Sequence, residues 1–550
     1  MKNMNAFFQD DWKVNSRLTL NLGVRWEYDG TLADRYGNLT NLWPSDLRTV
    51  PIPPSAPSTT NPNSYIGYVV PNNYDPKAHG PLPPGVRMFN GKFASINSIP
   101  LSNFGPRIGF AWQPTGNNRL LIRGGAGIFF DRIGINQIVH AVQEGKPYAD
   151  TTALQSEIAS LQQPFQDRPL AFAPRWFDLN PASPTYLQGS SFDSPFYDRI
   201  QTPVFRQYNL GLQYEFVRQF VAEFAYVGSS GINEADYSHN VNSARLVCTA
   251  LVTSNCMQGS INGITTNTQG NAGGRVPFLG FSPIGLQQNA FDGISTFNSL
   301  QATVRKNFSR GFGFQVSYTW SKTLSNIGFG SANLNNPNDL GQQYGQVSFA
   351  RPHRFVASYQ YELPFKANGA LNYVVSGWSI SGVTTLQSGN PVTFFDDSGG
   401  GVYGTPGSSI DKAFTRAQMA PGATYDSIFM PGSVKDKLNN FFNIKAFAPI
   451  PVLGEDGSRG YGNSGVGVLR GPHQANWDVS VNKLFRVKES QRVEFRADFF
   501  NFFNHAQFYL PTSNLANEVG TFVDSPATFG VINSTSVNPR LVQLALRYEF

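Results

Sequence analysis

Charge is what this sequence of 550 residues most lacks. Asp, Glu, Lys and Arg together supply 14% of it, against about 25% in soluble globular proteins. So few Lys/Glu pairs exclude coiled coils and long solvent-exposed helices. No stretch reaches ~18 consecutive apolar residues, so a transmembrane helix is excluded too. The N-terminus lacks the apolar segment of a secretory signal: Met1-Lys2-Asn3 runs at once into Phe7, Phe8, Gln9, Asp10 and Asp11. Two cysteines fit neither a disulfide scaffold nor a zinc protein. Cys248 and Cys256 lie close together in a polar, Gly/Asn-rich stretch and read as a surface-loop disulfide in preference to two unpaired thiols. The six histidines, His79, His140, His239, His353, His473 and His505, have no ligand-like spacing, so neither a metal nor another cofactor is expected. The net charge of +6 comes without any Lys/Arg run, which gives no reason to expect nucleic acid as a partner.

What the chain has instead is aromatic side chains and turn residues. Phe, Tyr and Trp make up 14% of it, too many for a disordered chain, and Gly (53) with Pro (37) form about one residue in six. The dominant pattern is strict alternation. Leu18, Leu20, Leu22, Val24, Trp26 and Tyr28 alternate with Thr19, Asn21, Gly23, Arg25 and Glu27, a run longer than the usual soluble strand of about 5–6 residues. Phe312 to Trp320, Tyr208 to Phe216 and Val542 to Phe550 repeat it.

These strands pair through short turns. Asn5–Val14 meets Arg17–Asp29 around Asn15-Ser16, and Phe104–Gln113 meets Arg119–Phe130. Other turns fall near Val217-Arg218, Ser309-Arg310-Gly311, Lys366 to Gly369, and Arg486 to Glu489. Between the pairs the connections are long, roughly Gly30–Asn103, Asp131–Pro203, Ser229–Ser295, Leu324–Ala350 and Ser388–Asn440. Compact soluble domains rarely carry structureless loops of that size. Tight turns on one side and extended loops on the other are the pattern of a transmembrane β-barrel, and strands of about 10 tilted residues suffice to cross the hydrocarbon layer. The expected fold is therefore all-β, an antiparallel outer-membrane barrel with long extracellular loops.

The two faces of these strands differ as a barrel wall requires. Trp26 and Tyr28, Tyr318 and Trp320, Tyr359 and Tyr361, and Tyr226 are expected as an aromatic girdle near the long-loop end. The opposite face offers lumen candidates: Arg25, Glu27, Arg123, Glu215, Glu223, Arg305, Glu362, Glu494, Arg496, Asp498, Arg547 and Glu549. Neither lipid nor a dry core would take them, but a wet lumen or a plug-packing surface would. The alternative, the solvated face of large soluble sheets, leaves the loop asymmetry unexplained. The terminal Phe550 fits a closing strand whose last residue serves as a C-terminal assembly signal for the machinery that inserts outer-membrane barrels.

Several segments are similar to TonB-dependent receptors, specifically the Oar-like type abundant in acidobacteria. They are AFFQDDWKVNSRLTLNLGVRWEYDG, NSLQATVRKNFSRGFGFQVSYTWSKTL, ARPHRFVASYQYELPF, SGWSISGVTTLQSGNPVT, LRGPHQANWDVSVNKLFRVKESQRVEFRADFFNFFNHAQF and LVQLALRYEF. They cover every strand pair, while the long loops carry little resemblance. The resemblance implies an outer-membrane receptor that takes up a ligand with energy drawn from the inner-membrane TonB complex. It also implies a 22-stranded barrel filled by a plug, of which about 14 strands are counted here. No signal peptide, plug or TonB-contacting box is found, so residues 1–550 are expected to be the C-terminal part of such a barrel. The plug and the TonB complex would be partners only of a full-length receptor; outer-membrane lipid and the assembly machinery would be partners of this chain.

Catalysis is not expected. Gly124-Gly125-Ala126-Gly127 has no phosphate-loop spacing and reads as glycines relieving crowding inside a barrel. Asp396-Asp397 and Glu455-Asp456-Gly457 lack EF-hand spacing and read as polar turns. Arg351 to Arg354 reads as a positioning cluster at a barrel rim, and Asn501 to His505 as a rim or girdle element. A passive channel and a surface adhesion or structural barrel remain as alternatives to energised uptake. The ligand is open among an oligosaccharide, a peptide and a chelate.

Overall fold

The structure is a computed structural model. It describes residues 3–30, 41–43, 46, 67–79, 81–82, 85–89, 100–117, 119–132, 190–196, 201–252, 256–278, 281–327, 336, 339–405, 415–488, 491–511, 520–523 and 527–550. Thirteen strands form one continuous antiparallel path: β1 (Asn3–Asn15), β2 (Leu18–Asp29), β3 (Asn103–Trp112), β4 (Leu120–Phe130), β5 (Val204–Val217), β6 (Phe220–Asn240), β7 (Phe281–Ser309), β8 (Phe312–Ser325), β9 (His353–Glu362), β10 (Trp378–Gln387), β11 (Gln474–Lys488), β12 (Gln491–Phe500) and β13 (Leu541–Glu549). Two short strands join off this path, Ser190–Phe196 on β7 and Gly345–Gln346 on β8. Sequence neighbours pair throughout, so the sheet is an up-and-down meander.

Short and long connections alternate strictly along the meander. One of the two-residue turns, Arg310-Gly311 between β7 and β8, has positive φ at both residues (54° and 77°), the twist-matched geometry of a two-residue hairpin. The loop expected over Ser229–Ser295 is shorter than the sequence suggests. β6 and β7 stay paired out to Asn240 and Gln287, well past the ends of β5 and β8. Beyond the membrane both faces of a hairpin meet water, so the ladder continues while its alternation fades.

Residues opposite one another in a ladder share a face. Tracing the register from strand to strand puts Leu22, Ile108, Leu210, Tyr226, Leu300, Trp320, Phe355, Trp477 and Leu544 on one face of the wall. That face is uncovered: Leu210 is 55% exposed, Ile108 57% and Leu544 65%. No second sheet lies against it among the described residues, and Leu20, Val316 and Leu544 share no dry centre. A wall whose greasy side has no protein partner is built to face hydrocarbon.

The aromatic band differs in part from expectation. Trp26, Tyr28 and Trp320 do sit toward the long-loop ends of their strands, but Tyr318 lies midway along β8 and Tyr226 in the short-turn third of β6. Tyr359 and Tyr361, however, close β9 at the short-turn end. There Tyr361 packs edge-on to Phe312, which leads through Phe314 and Phe220 to Phe216. Aromatics therefore ring both rims, as two lipid–water interfaces require.

The glycine run on β4 also divides by face. Gly125 and Gly127 face inward, but Gly124 lies on the lipid side, where a Cβ would come within 2.7 Å of the Phe110 ring that covers it. Gly228 plays the same part for Tyr208, whose ring lies across it to reach Asn298. Replacing Gly228 by Val should push Tyr208 aside and destabilise the folded wall by about 1–3 kcal/mol. Urea unfolding followed by loss of the compact band on unheated gels reads this out, and an unchanged midpoint would contradict it.

Candidate functional site

The opposite face carries the polar residues. All twelve lumen candidates lie on it: Arg25 and Glu27 on β2, Arg123 on β4, Glu215 on β5, Glu223 on β6, Arg305 on β7, Glu362 on β9, Glu494, Arg496 and Asp498 on β12, and Arg547 and Glu549 on β13. Arg107, Arg354, Asp478 and Arg492 join them. These four stand in the same alternating slots, so the signal for them was present in the sequence. This face is hollow: a cavity of about 750 Å³ is lined by Arg305, Gln315, Ser358, Gln360, Asp478 and Arg496, among others.

Only some of these charges meet. Arg25 pairs with Glu27, and Arg496 with Asp498 at 2.8 Å. Glu549 takes both Arg492 and Arg547, the latter at 2.8 Å. Arg123 reaches over β5, where Gly211 leaves room, to Glu223 on β6. Glu215 accepts from the Gln219 amide (2.9 Å) and so fastens the tight turn. Arg305 and Glu362 have no ion-pair partner among the described residues, and Arg305 borders the cavity. Pairs this exposed contribute little stability, about 0–1 kcal/mol each. Their effect is to present water with a face of fixed, alternating charge.

Above the wall the long connections fold into a cap, which the sequence did not reveal. Pro391–Phe395 pairs with Leu469–Arg470 and with Gly520–Phe522. Its Phe394 lies against Phe442, Phe447 and Phe529, with ring centroids 5.0, 4.9 and 6.2 Å away. Val392, Ile428, Leu469 and Ile532 complete a buried apolar core. A second part of the cap centres on Arg275, which is fully buried. Its guanidinium donates to Asn271 Oδ1 (2.7 Å), to the carbonyls of Thr268 (2.9 Å) and Val402 (2.6 Å), and to that of Arg245. Burial lowers the Arg275 pKa from its ordinary value, against the pull of Glu455 and Asp456. Cys248 and Cys256 are disulfide-bonded in this region, with Cα atoms 5.0 Å apart. Tyr403 stacks on Tyr461 at 4.5 Å, and burial pushes the Tyr403 hydroxyl up to about 12.

The acidic turns serve the cap. Glu455 accepts from the Asn267 amide (2.6 Å), and Asp456 from the amides of Gln269 (2.8 Å) and Ser458 (3.0 Å). Among the described residues no cluster of His, Cys, Asp or Glu could hold a metal ion. At the rim, His353 Nδ1 meets the Tyr318 hydroxyl at 2.7 Å, and Arg351 donates to the Ser388 carbonyl at 2.7 Å. Asn501 turns the chain with a positive φ of 50° and binds the carbonyls of His505 (3.2 Å) and Asn538 (3.1 Å). Phe550 stacks on Tyr548 with centroids 5.8 Å apart and stands 93% exposed at the short-turn rim.

A greasy face without protein cover, a hollow charged face and loops gathered on one rim describe a membrane barrel. A family model for an outer membrane beta barrel domain matches residues 1–543. The chain belongs to this family. Its place is the bacterial outer membrane. No curated protein sequence matches it. Among solved structures it is similar to the outer membrane transporter YddB from Escherichia coli (11% identity, TM-score 0.43, all of this chain and 45% of that one). It is also similar to the ferric-catecholate import receptor Fiu from E. coli K12 (9%, 0.37, 100% and 44%) and the pyoverdine receptor FpvA from Pseudomonas aeruginosa PAO1 (8%, 0.39, 100% and 42%). The chain thus spans less than half the length of these proteins.

Two outcomes are expected for the cap of this barrel. Replacing Arg275 by Met strips the buried Val402 carbonyl of its donor at about 1–3 kcal/mol, and two part-buried carbonyls of theirs, so limited proteolysis should cut residues 241–278 in the variant and spare them in the parent. The second concerns acid. Burial alone would raise the Asp456 carboxyl, but the hydrogen bonds from Ser458 and Gln269 hold it below its ordinary 3.8. A depressed carboxyl stabilises the fold above that ordinary value and loses the effect as pH falls through the folded one. Protease resistance of residues 241–278 should therefore be flat near neutrality and decline below about pH 4. Asp456→Asn should be less resistant near neutrality, lack this decline, and converge with the parent at the acid end.

Proposed function

We propose that this chain is the C-terminal wall of a TonB-dependent receptor barrel, whose charged inner face guides a polar ligand from the extracellular cap into the cell envelope. The observation that carries the reading is strand direction. With thirteen strands in unbroken antiparallel order, β1 and β13 run the same way, each from the long-loop rim to the short-turn rim. Joining them would make a parallel seam, whereas bacterial single-chain barrels close antiparallel with even strand numbers. Antiparallel closure takes an odd number of further strands. A receptor barrel of roughly 22 strands would need about nine, which is odd.

The edges fit this reading. Both β1 and β13 are exposed along their length, with Phe7 at 73% and Leu546 at 73%. A bare strand edge in hydrocarbon leaves amides and carbonyls unsatisfied at several kcal/mol each, so both edges need strands beside them. The remaining strands and the plug would come from sequence beyond these 550 residues. The ligand stays a polar molecule of unassigned class, since both signs of charge line the inner face.

A passive channel is the competing function, and it requires these strands to close alone. The purified chain, reconstituted into a planar bilayer with insertion verified by protease protection, should give no steady conductance step. Stable, uniform pores from the chain alone would overturn the proposal in favour of the channel.

A further inference from the structure

Charges on the lipid-facing side of the wall are few; Asp10 on β1 lies there opposite Leu22, and two lysines are accounted for by position. Lys306 and Lys483 lie at the short-turn rim. Lys306 donates to the Ser309 carbonyl (2.9 Å) and hydroxyl (3.0 Å), and sits over Phe220 and Phe312. Lys483 donates to the Ser376 carbonyl and sits over Trp378 and Phe485. Arg206 and Lys322 are different. They face outward near the long-loop rim, on β5 and β8, and neither has an acidic partner among the described residues.

Register places them in two adjacent outward rows. The upper row runs Arg206, Ser230, Thr296, Leu324, and the lower row Tyr208, Gly228, Asn298, Lys322. Three strand spacings across and one row along separate the backbones of the two cations, about 16 Å. Between them the hydroxyls of Tyr208 (3.1 Å) and Tyr226 (2.7 Å) both donate to Asn298 Oδ1, leaving the Asn298 amide hydrogens pointing away from any described partner. Below these rows the same face carries no charge, with Leu210, Tyr226, Leu300 and Trp320, then Leu212, Phe224, Ala302 and Tyr318. Cationic and amide donors above an exposed apolar slope match an amphiphile with an anionic head and acyl tails.

The geometry points to a lipid-binding site on the outer surface of the wall, in which Arg206, Asn298 and Lys322 hold the phosphate-bearing headgroup of an outer-leaflet lipid. Its acyl chains lie down β5 to β8 over Leu210, Leu300 and Phe224. A headgroup phosphate seated there receives charge-assisted hydrogen bonds from both sides and an amide donor at the centre. The site belongs to the outer face and stands whether or not the inner face conducts uptake.

The test is binding of dioctanoyl phosphatidic acid to the purified, detergent-solubilised chain, with dioctanoyl phosphatidylcholine and inorganic phosphate as comparison probes. Phosphatidic acid should bind saturably and be weakened at least tenfold by Arg206→Ala with Lys322→Ala. The charge-keeping swap Arg206→Lys with Lys322→Arg should retain most binding, and Arg310→Ala at the opposite rim should change nothing. Folding of each variant is verified by its compact band on unheated gels. Equal binding by parent and double alanine variant would overturn the site. Inorganic phosphate binding as tightly as phosphatidic acid would also overturn it, reducing it to a surface anion contact with no lipid.

Discussion

Inside a bilayer no water satisfies a backbone amide or carbonyl, and from that single constraint the rest of this chain follows. Each strand must pair along its whole length on both sides, which gives the meander from β1 to β13. Pairing fixes side-chain direction at a period of two, so one face of every strand is committed to hydrocarbon. The sequence obeys this through Leu20, Leu22, Val24 and Trp26 on β2 and through Val542, Leu544 and Leu546 on β13. What remains for chemistry is the other face, and there every strand can hold a charge at little cost because water reaches it. The unpaired outer edges of β1 and β13 are where the same constraint is still unmet within the described path.

How much of this was legible follows from where the alternation operates. Within the membrane it is strong, so the hairpins, the turn positions and the shared face of the twelve charges can be read directly. Above the membrane it disappears, and with it go the upper halves of β6 and β7. The cap is invisible for a second reason. Phe394, Phe442, Phe447 and Phe529 come from separate connections and have no shared local period; only their packing reveals them as a core. Arg275 is equally silent, a single arginine among Gly, Asn and Thr whose importance lies in three carbonyls, those of Arg245 and Val402 far from it in sequence.

Two features are instructive in the opposite way, because the signal for them exists. Tyr359 and Tyr361 are expected at the long-loop end, yet β9 follows a long connection and so must end at the short-turn rim; counting strand direction places them there. Arg206 and Lys322 occupy slots that the alternation reserves for apolar residues. A charge in the wrong parity is as informative as one in the right parity. The cap, the charged inner face and the two aromatic rims together give the molecule a direction, from loops that gather outside to turns that face inward.

The most direct measurement of the central claim is cysteine scanning along β8 of the membrane-inserted chain, at Gln315, Val316, Ser317, Tyr318, Thr319 and Trp320 in turn. Each cysteine is probed with a water-soluble maleimide and with a lipid-dissolved fluorophore quencher. The account predicts strict alternation: positions 315, 317 and 319 react with the aqueous reagent, and 316, 318 and 320 are quenched from the lipid. Uniform aqueous labelling, or burial of 316, 318 and 320 from both probes, would contradict a single membrane-spanning wall.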